Sequence, residues 1–138
     1  MIPNFRAFNK ETKKMYGVDG FELSVRKIYR CSLADDEFRC GRLETFHFVE
    51  DNFDDYILMQ STGMFDKNGV EIFDGDIVLT TRLIDYTYKN FKGVVKMLEG
   101  RWLIDTGKDA VGLWTEVDEN EAIGNIYQNS ELLESVEE

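Results

Sequence analysis

Five residues between positions 82 and 92, namely Arg82, Tyr86, Tyr88, Lys89 and Lys92, bring together the side chains that hold single-stranded nucleic acid. Cations neutralise phosphates and aromatic rings stack on bases, so these five form a candidate nucleic-acid patch. The plainer reading of Thr81 to Phe91 is a long, partly exposed loop of a small β-barrel.

Other reactive side chains give less. His47, the only histidine, falls between Phe46 and Phe48, and no serine or cysteine nucleophile pairs with it by spacing. It reads as an exposed or hydrogen-bonded strand residue. Cys31 and Cys40 have no companion cysteine or nearby paired histidine, which removes a zinc site and leaves two buried or idle thiols. Asp54-Asp55 and the pair Asp74 and Asp76 flank turns, where aspartate bonds local backbone. Asp66-Lys67-Asn68-Gly69 opens like a calcium loop, but its glycine stands at the fourth position instead of the sixth and Ile77 takes the place of the closing glutamate. No phosphate-cradling glycine loop, nucleophile elbow or His-Glu metal helix occurs. The sequence therefore assigns no catalytic, metal or cofactor residues.

The elements that must carry these residues are organised around Gln60 to Val78. Asp66-Lys67-Asn68-Gly69 predicts a tight hairpin turn, because Asn68 and Gly69 tolerate positive φ. It sets Met64 and Phe65 across from Val70 and Ile72. A second turn at Asp74-Gly75-Asp76 feeds the β-branched run Ile77-Val78-Leu79-Thr80. Further short runs at Gly93–Lys96, Arg101–Ile104 and Ile123–Tyr127 read as strands, with no helical period between them. This is the pattern of an SH3-like small barrel.

Upstream, Phe5–Phe8 and Met15–Val18 flank a charged connection and predict a hairpin with Phe5 and Tyr16 as core aromatics. Phe21–Ile28 alternates as a third strand, and Glu44–Val49 is a fourth. Tyr29 to Arg42 carries no assignment. Asn129-Ser130-Glu131 starts a short terminal helix, with Asn129 as N-cap and carboxylates in the first turn. The expected organisation is a β-rich unit over residues 1–59, a barrel over 60–128, and a short helix with a frayed tail over 129–138.

With 138 residues, 13% of them aromatic and one proline, the chain can form a packed sheet core without staples. The net charge of −11 opposes general binding to a polyanion. No apolar run approaches the roughly 20 residues that cross a bilayer, and the start lacks the basic end and apolar core of a secretion signal. The expected location is the cytosol.

Six segments acquire meaning jointly. Phe5-Arg6-Ala7-Phe8, Thr12–Tyr16, Leu58–Gly63, Asp66–Gly69, Ile72–Val78 and Ile123–Asn129, in this order, resemble the YopX family of small phage and prophage proteins of Gram-positive bacteria. The chain departs from the family pattern at Phe8, where tryptophan is usual, and at Ser130, where Asn-Pro-Glu is usual. The resemblance implies a β-rich fold with an SH3-like carboxyl-terminal barrel, and it carries neither an activity nor catalytic residues.

The fold expected is mainly β (a β-rich α+β class), an amino-terminal β unit packed against an SH3-like barrel with a short helix at the end. The function expected is a non-enzymatic interaction protein of phage origin that binds a host or phage protein, with homo-oligomers a possible form. The alternatives are a nucleic-acid-associated or DNA-mimicking accessory protein, and a metal-assisted enzyme using Asp74 and Asp76.

Overall fold

The computed structural model describes residues 4–34, 48–113 and 119–134 of a mostly β chain, which divides into two compact units, residues 1–60 and 61–138.

In the first unit, β1 (Phe5–Asn9) and β2 (Met15–Glu22) form the predicted hairpin. Asn9 builds its turn by accepting the Glu11 and Thr12 N–H groups on Oδ1 at 2.8 and 2.9 Å. β3 (Lys27–Ala34), β4 (Phe48–Asn52) and the first half of β5 (Tyr56–Phe65) complete an antiparallel sheet in the order β4-β3-β2-β1-β5. β1 is central and buried on both faces, and the strand period separates two clusters. Ala7, Tyr16, Ile28 and Tyr56 pack on one face, with Phe5 on the same face in edge contact with Phe21. Phe8, Met15 and Met59 pack on the other.

The strand expected from Phe21 to Ile28 is instead two strands joined by a single 3-10 turn, Leu23–Val25. Arg26, at φ 55°, completes the reversal without a glycine to announce it. Of the strand expected over Glu44–Val49, Phe48 and Val49 belong to β4; the other four, with His47 among them, and Cys40 lie outside the described residues. Cys31 is a buried free thiol. On β3, Arg30 donates to the Tyr56 hydroxyl at 2.7 Å and lies 4.4 Å from the Tyr16 ring centroid, while Tyr56 donates to Asp51 at 2.6 Å. Burial and the bond to Asp51 raise the Tyr56 phenol above its ordinary pKa. This network joins β3, β4 and β5 across one face of the sheet.

In the second unit, the later half of β5 pairs with β6 (Glu71–Phe73). The turn between them is made by Asp66, which is buried. Its Oδ1 accepts the Asn68 and Val70 N–H groups at 2.8 and 2.9 Å, and Gly69 takes φ 81°. Asn68 does not share that positive φ. Nor do Met64 and Phe65 face Val70 and Ile72: Phe65 stands opposite Glu71 and Ser61 opposite Phe73, with a bulge between. The cause is Gly63 at φ 78°, where the Ser61 and Thr62 hydroxyls accept the Gly63 and Met64 N–H groups.

The turn at Asp74-Gly75 delivers the chain into β7 (Asp76–Ile84), and Asp76 accepts the Phe73 N–H at 2.8 Å. β8 (Thr87–Leu98), β9 (Arg101–Asp105) and β10 (Ala110–Gly112) continue as a meander. β11 (Glu119–Asn125) returns beside β7, giving the order β10-β9-β8-β7-β11, the strand order of an SH3-like sheet. Ile72, Val78, Val95, Ile104 and Leu113 form its core. Gly93 is required where β8 meets β9, since a Cβ there would stand 2.2 Å from the Asp105 carbonyl oxygen.

β11 stops at Asn125, short of the expected Tyr127. Asn125 Oδ1 accepts the N–H groups of Tyr127 and Gln128, turning the chain into α1 (Glu131–Glu134), a single helical turn. Asn129, expected as its cap, turns Oδ1 back to the Asn125 N–H at 3.2 Å and packs on Gly124.

Candidate functional site

The segment Thr81–Phe91 is not a loop. Thr81, Leu83, Ile84, Thr87 and Tyr88 favour extended backbone, and β7 and β8 stay paired to Ile84 opposite Thr87. They are joined by the two-residue turn Asp85-Tyr86, with φ 51° and 64°. Two successive left-handed residues make a type I′ turn, whose twist suits a hairpin. β11 pairs with β7 only as far as Thr81, and β9 pairs with β8 only from Val94 onward. Among the described residues, Arg82–Ile84 and Thr87–Lys89 are therefore a two-stranded ribbon flanked by no third strand.

Strand alternation distributes the five patch residues over both faces of this ribbon. Arg82 and Lys89 are directly opposed on the face that carries Thr80 and Phe91. Like charges placed so repel, and the Arg82 guanidinium instead reaches the Gly112 carbonyl at 2.9 Å, with its Cζ 6.0 Å from the Phe91 ring centroid. Tyr88 and Lys92 lie on the other face, opposite Leu83 and Leu79. Tyr86 stands at the tip. The structure thus unites Tyr88 with Lys92 and Arg82 with Lys89, and does not gather all five on one surface.

The Tyr88 face is the more accessible. Leu83 and Tyr88, directly opposed on it, are 55% and 74% exposed, and Tyr86 at the tip is 99% exposed. Along the same face, Thr81 donates to Asn90 at 2.9 Å, and Lys92, Val94 and Lys96 follow at alternate positions of β8. There the surface deepens into a groove of about 540 Å³, which Lys92, Val94 and Lys96 line together with Asp105, Lys108 and Leu133 of α1. The one acid that lines it among the described residues is engaged: Asp105 accepts from Lys96 Nζ and from the Gly107 N–H, each at 2.9 Å. Those two donors hold the Asp105 carboxyl below the ordinary range.

Leu83, Lys96, Lys108 and Leu133 were not among the sequence candidates. Alternation along β8 would have aligned Lys92 with Lys96, but only the tertiary fold brings in Lys108 and Leu133. Among the described residues no three His, Cys, Asp or Glu side chains cluster as a metal site, and Asp76 is committed to the Phe73 N–H. A shallower pocket in the first unit is lined by residues that include Arg26, Lys27, Glu50 and Asp54, whose charges are engaged in the exposed ion pairs Arg26–Asp54 and Lys27–Glu50.

Comparison with known proteins supports the architecture. The family model described as YopX protein matches residues 4–134. The crystal structure of protein EF1440 from Enterococcus faecalis is similar, at 26% identity and a TM-score of 0.58, over 96% of this chain and 99% of that one. The crystal structure of protein yopX from Bacillus subtilis is similar at 23% identity and a TM-score of 0.57, over 94% and 96% of the two chains. No curated protein matches the sequence.

Proposed function

The chain belongs to the YopX protein family, and from that premise we propose a non-enzymatic interaction protein of phage or prophage origin, acting in the bacterial cytoplasm by binding a host or phage protein through the β7–β8 ribbon. The observation that carries this reading is the exposure of Leu83, Tyr86 and Tyr88 on a ribbon that, among the described residues, has no third strand. Aromatic side chains offer large contact area at low entropic cost and are enriched where proteins meet. The open strand edges along Thr87–Gly93 also favour pairing with a second copy, among the described residues.

Binding to nucleic acid draws less support. Arg82 and Lys89 face away from Tyr88 and Lys92, so the cations and rings do not converge on one strand-sized track.

A photo-crosslinking residue at position 86, expressed in the bacterial host, tests the proposal. A discrete protein adduct is expected, absent when the same residue replaces exposed Glu11 and lost with Leu83→Ser combined with Tyr88→Ala. An adduct of twice the chain mass would identify a second copy as the partner. Equal adduct yields at positions 86 and 11, or adducts with nucleic acid alone, would overturn the reading.

A further inference from the structure

Resting on that protein-binding reading, we infer that the groove beside β8 is the part of the surface that selects the partner, and that it takes an acidic segment bearing an apolar side chain. Among the described residues, three lysines, Lys92, Lys96 and Lys108, line it with one carboxylate, Asp105, which accepts from Lys96 and from the Gly107 N–H. The groove is thus a locally cationic place on a chain of net charge −11. Complementary charge steers encounter and sets which partner is accepted.

The apolar residues that line the groove are Phe91 and Val94 of β8 and Leu133 of α1. Leu133 comes from Glu131-Leu132-Leu133-Glu134, so an apolar side chain from an acidic segment already sits at this groove within the molecule itself. At about 540 Å³ the space lies within the range that holds a drug-sized ligand or a few side chains, and not a folded surface. A short peptide is favoured over a nucleic acid because the net charge of −11 opposes a long polyanion, whereas a short acidic segment meets chiefly the groove's lysines. The groove continues along alternate positions of β8 into Tyr88 and its neighbour Leu83. A partner seated in the groove would therefore meet the exposed ribbon as well.

The test is fluorescence anisotropy of the full chain with a labelled synthetic peptide, acetyl-Gly-Glu-Leu-Leu-Glu-Glu-Gly, at low and high salt. Saturable binding that weakens with salt is expected. Lys92→Glu with Lys108→Glu is expected to reduce affinity at least tenfold, and Lys92→Gln with Lys108→Gln, which removes charge without adding repulsion, at least threefold. Both variants are checked for native circular dichroism and melting. Absence of peptide binding, binding unchanged in both folded variants, or displacement of the peptide by an equal charge concentration of oligothymidylate would overturn the inference. Crosslinking at position 86 separates the two claims. If it persists while the peptide fails, the groove assignment falls and the ribbon stands; if both fail, both fall.

Discussion

Tyr86 holds a backbone conformation that suits glycine better. At φ 64° after Asp85 at φ 51°, it occupies the left-handed region, which costs an L side chain roughly 1 kcal/mol or more. Its ring is 99% exposed and returns nothing to the fold. Tyr86→Gly would create Asp-Gly, a favoured type I′ pair. The variant is expected to gain about 0.5–1 kcal/mol in urea unfolding while losing the partner captured at the ribbon. A lower unfolding midpoint would mean that the ring supports the fold after all. The same residue shows why the ribbon was hidden in the sequence. A hairpin is recognised by Asn-Gly or Asp-Gly at its turn, and Asp85-Tyr86 has neither glycine nor asparagine, so the residues around it read as a loop. Arg26 concealed the reversal between β2 and β3 in the same way.

At the scale of elements, legibility followed the glycines. Gly69 and Gly75 take the positive φ their turns need, which is why the turns after Asp66 and Asp74 and the start of β7 could be read from the chain. The β1–β2 hairpin was legible through its alternation and its charged connection. What could not be read were bonds that join elements far apart in sequence. Asp66 is the clearest: beyond ordering its own turn, its Oδ2 accepts the Ala122 N–H at 3.0 Å, and Lys67 N–H meets the Asn120 carbonyl at 2.9 Å, so the β5–β6 turn is tied to β11. Three backbone donors end on one buried carboxylate. Removing it leaves them unsatisfied, and Asp66→Ala is expected to cost roughly 2–4 kcal/mol in chemical unfolding. Asp66→Asn keeps an acceptor for the turn but presents an NH₂ to Ala122, and is expected to cost about half as much. A loss under about 0.5 kcal/mol for the alanine variant would show that water replaces the carboxylate. The groove was illegible for a similar reason, since Lys108 and Leu133 reach it only through the β9–β10 turn and α1.

At the scale of the whole molecule, sign of charge is unevenly distributed along the chain: no lysine or arginine follows Lys108, while the groove cations lie at or before it. The strand order of the second unit adds a temporal consequence. β7 to β10 are neighbours in sequence and can pair as they leave the ribosome, whereas the other flank of β7 is paired, among the described residues, with β11, synthesised about forty residues later. Until then β7 is a bare template. A fragment ending at residue 112 is expected to self-associate in sedimentation, and a synthetic peptide spanning residues 113–134 to return it to a dispersed, cooperatively melting heterodimer. A fragment that stays monomeric alone and ignores the peptide would contradict this. The closing strand would then be a detachable key, and a gene cut before it would encode two pieces that fold only on reassembly.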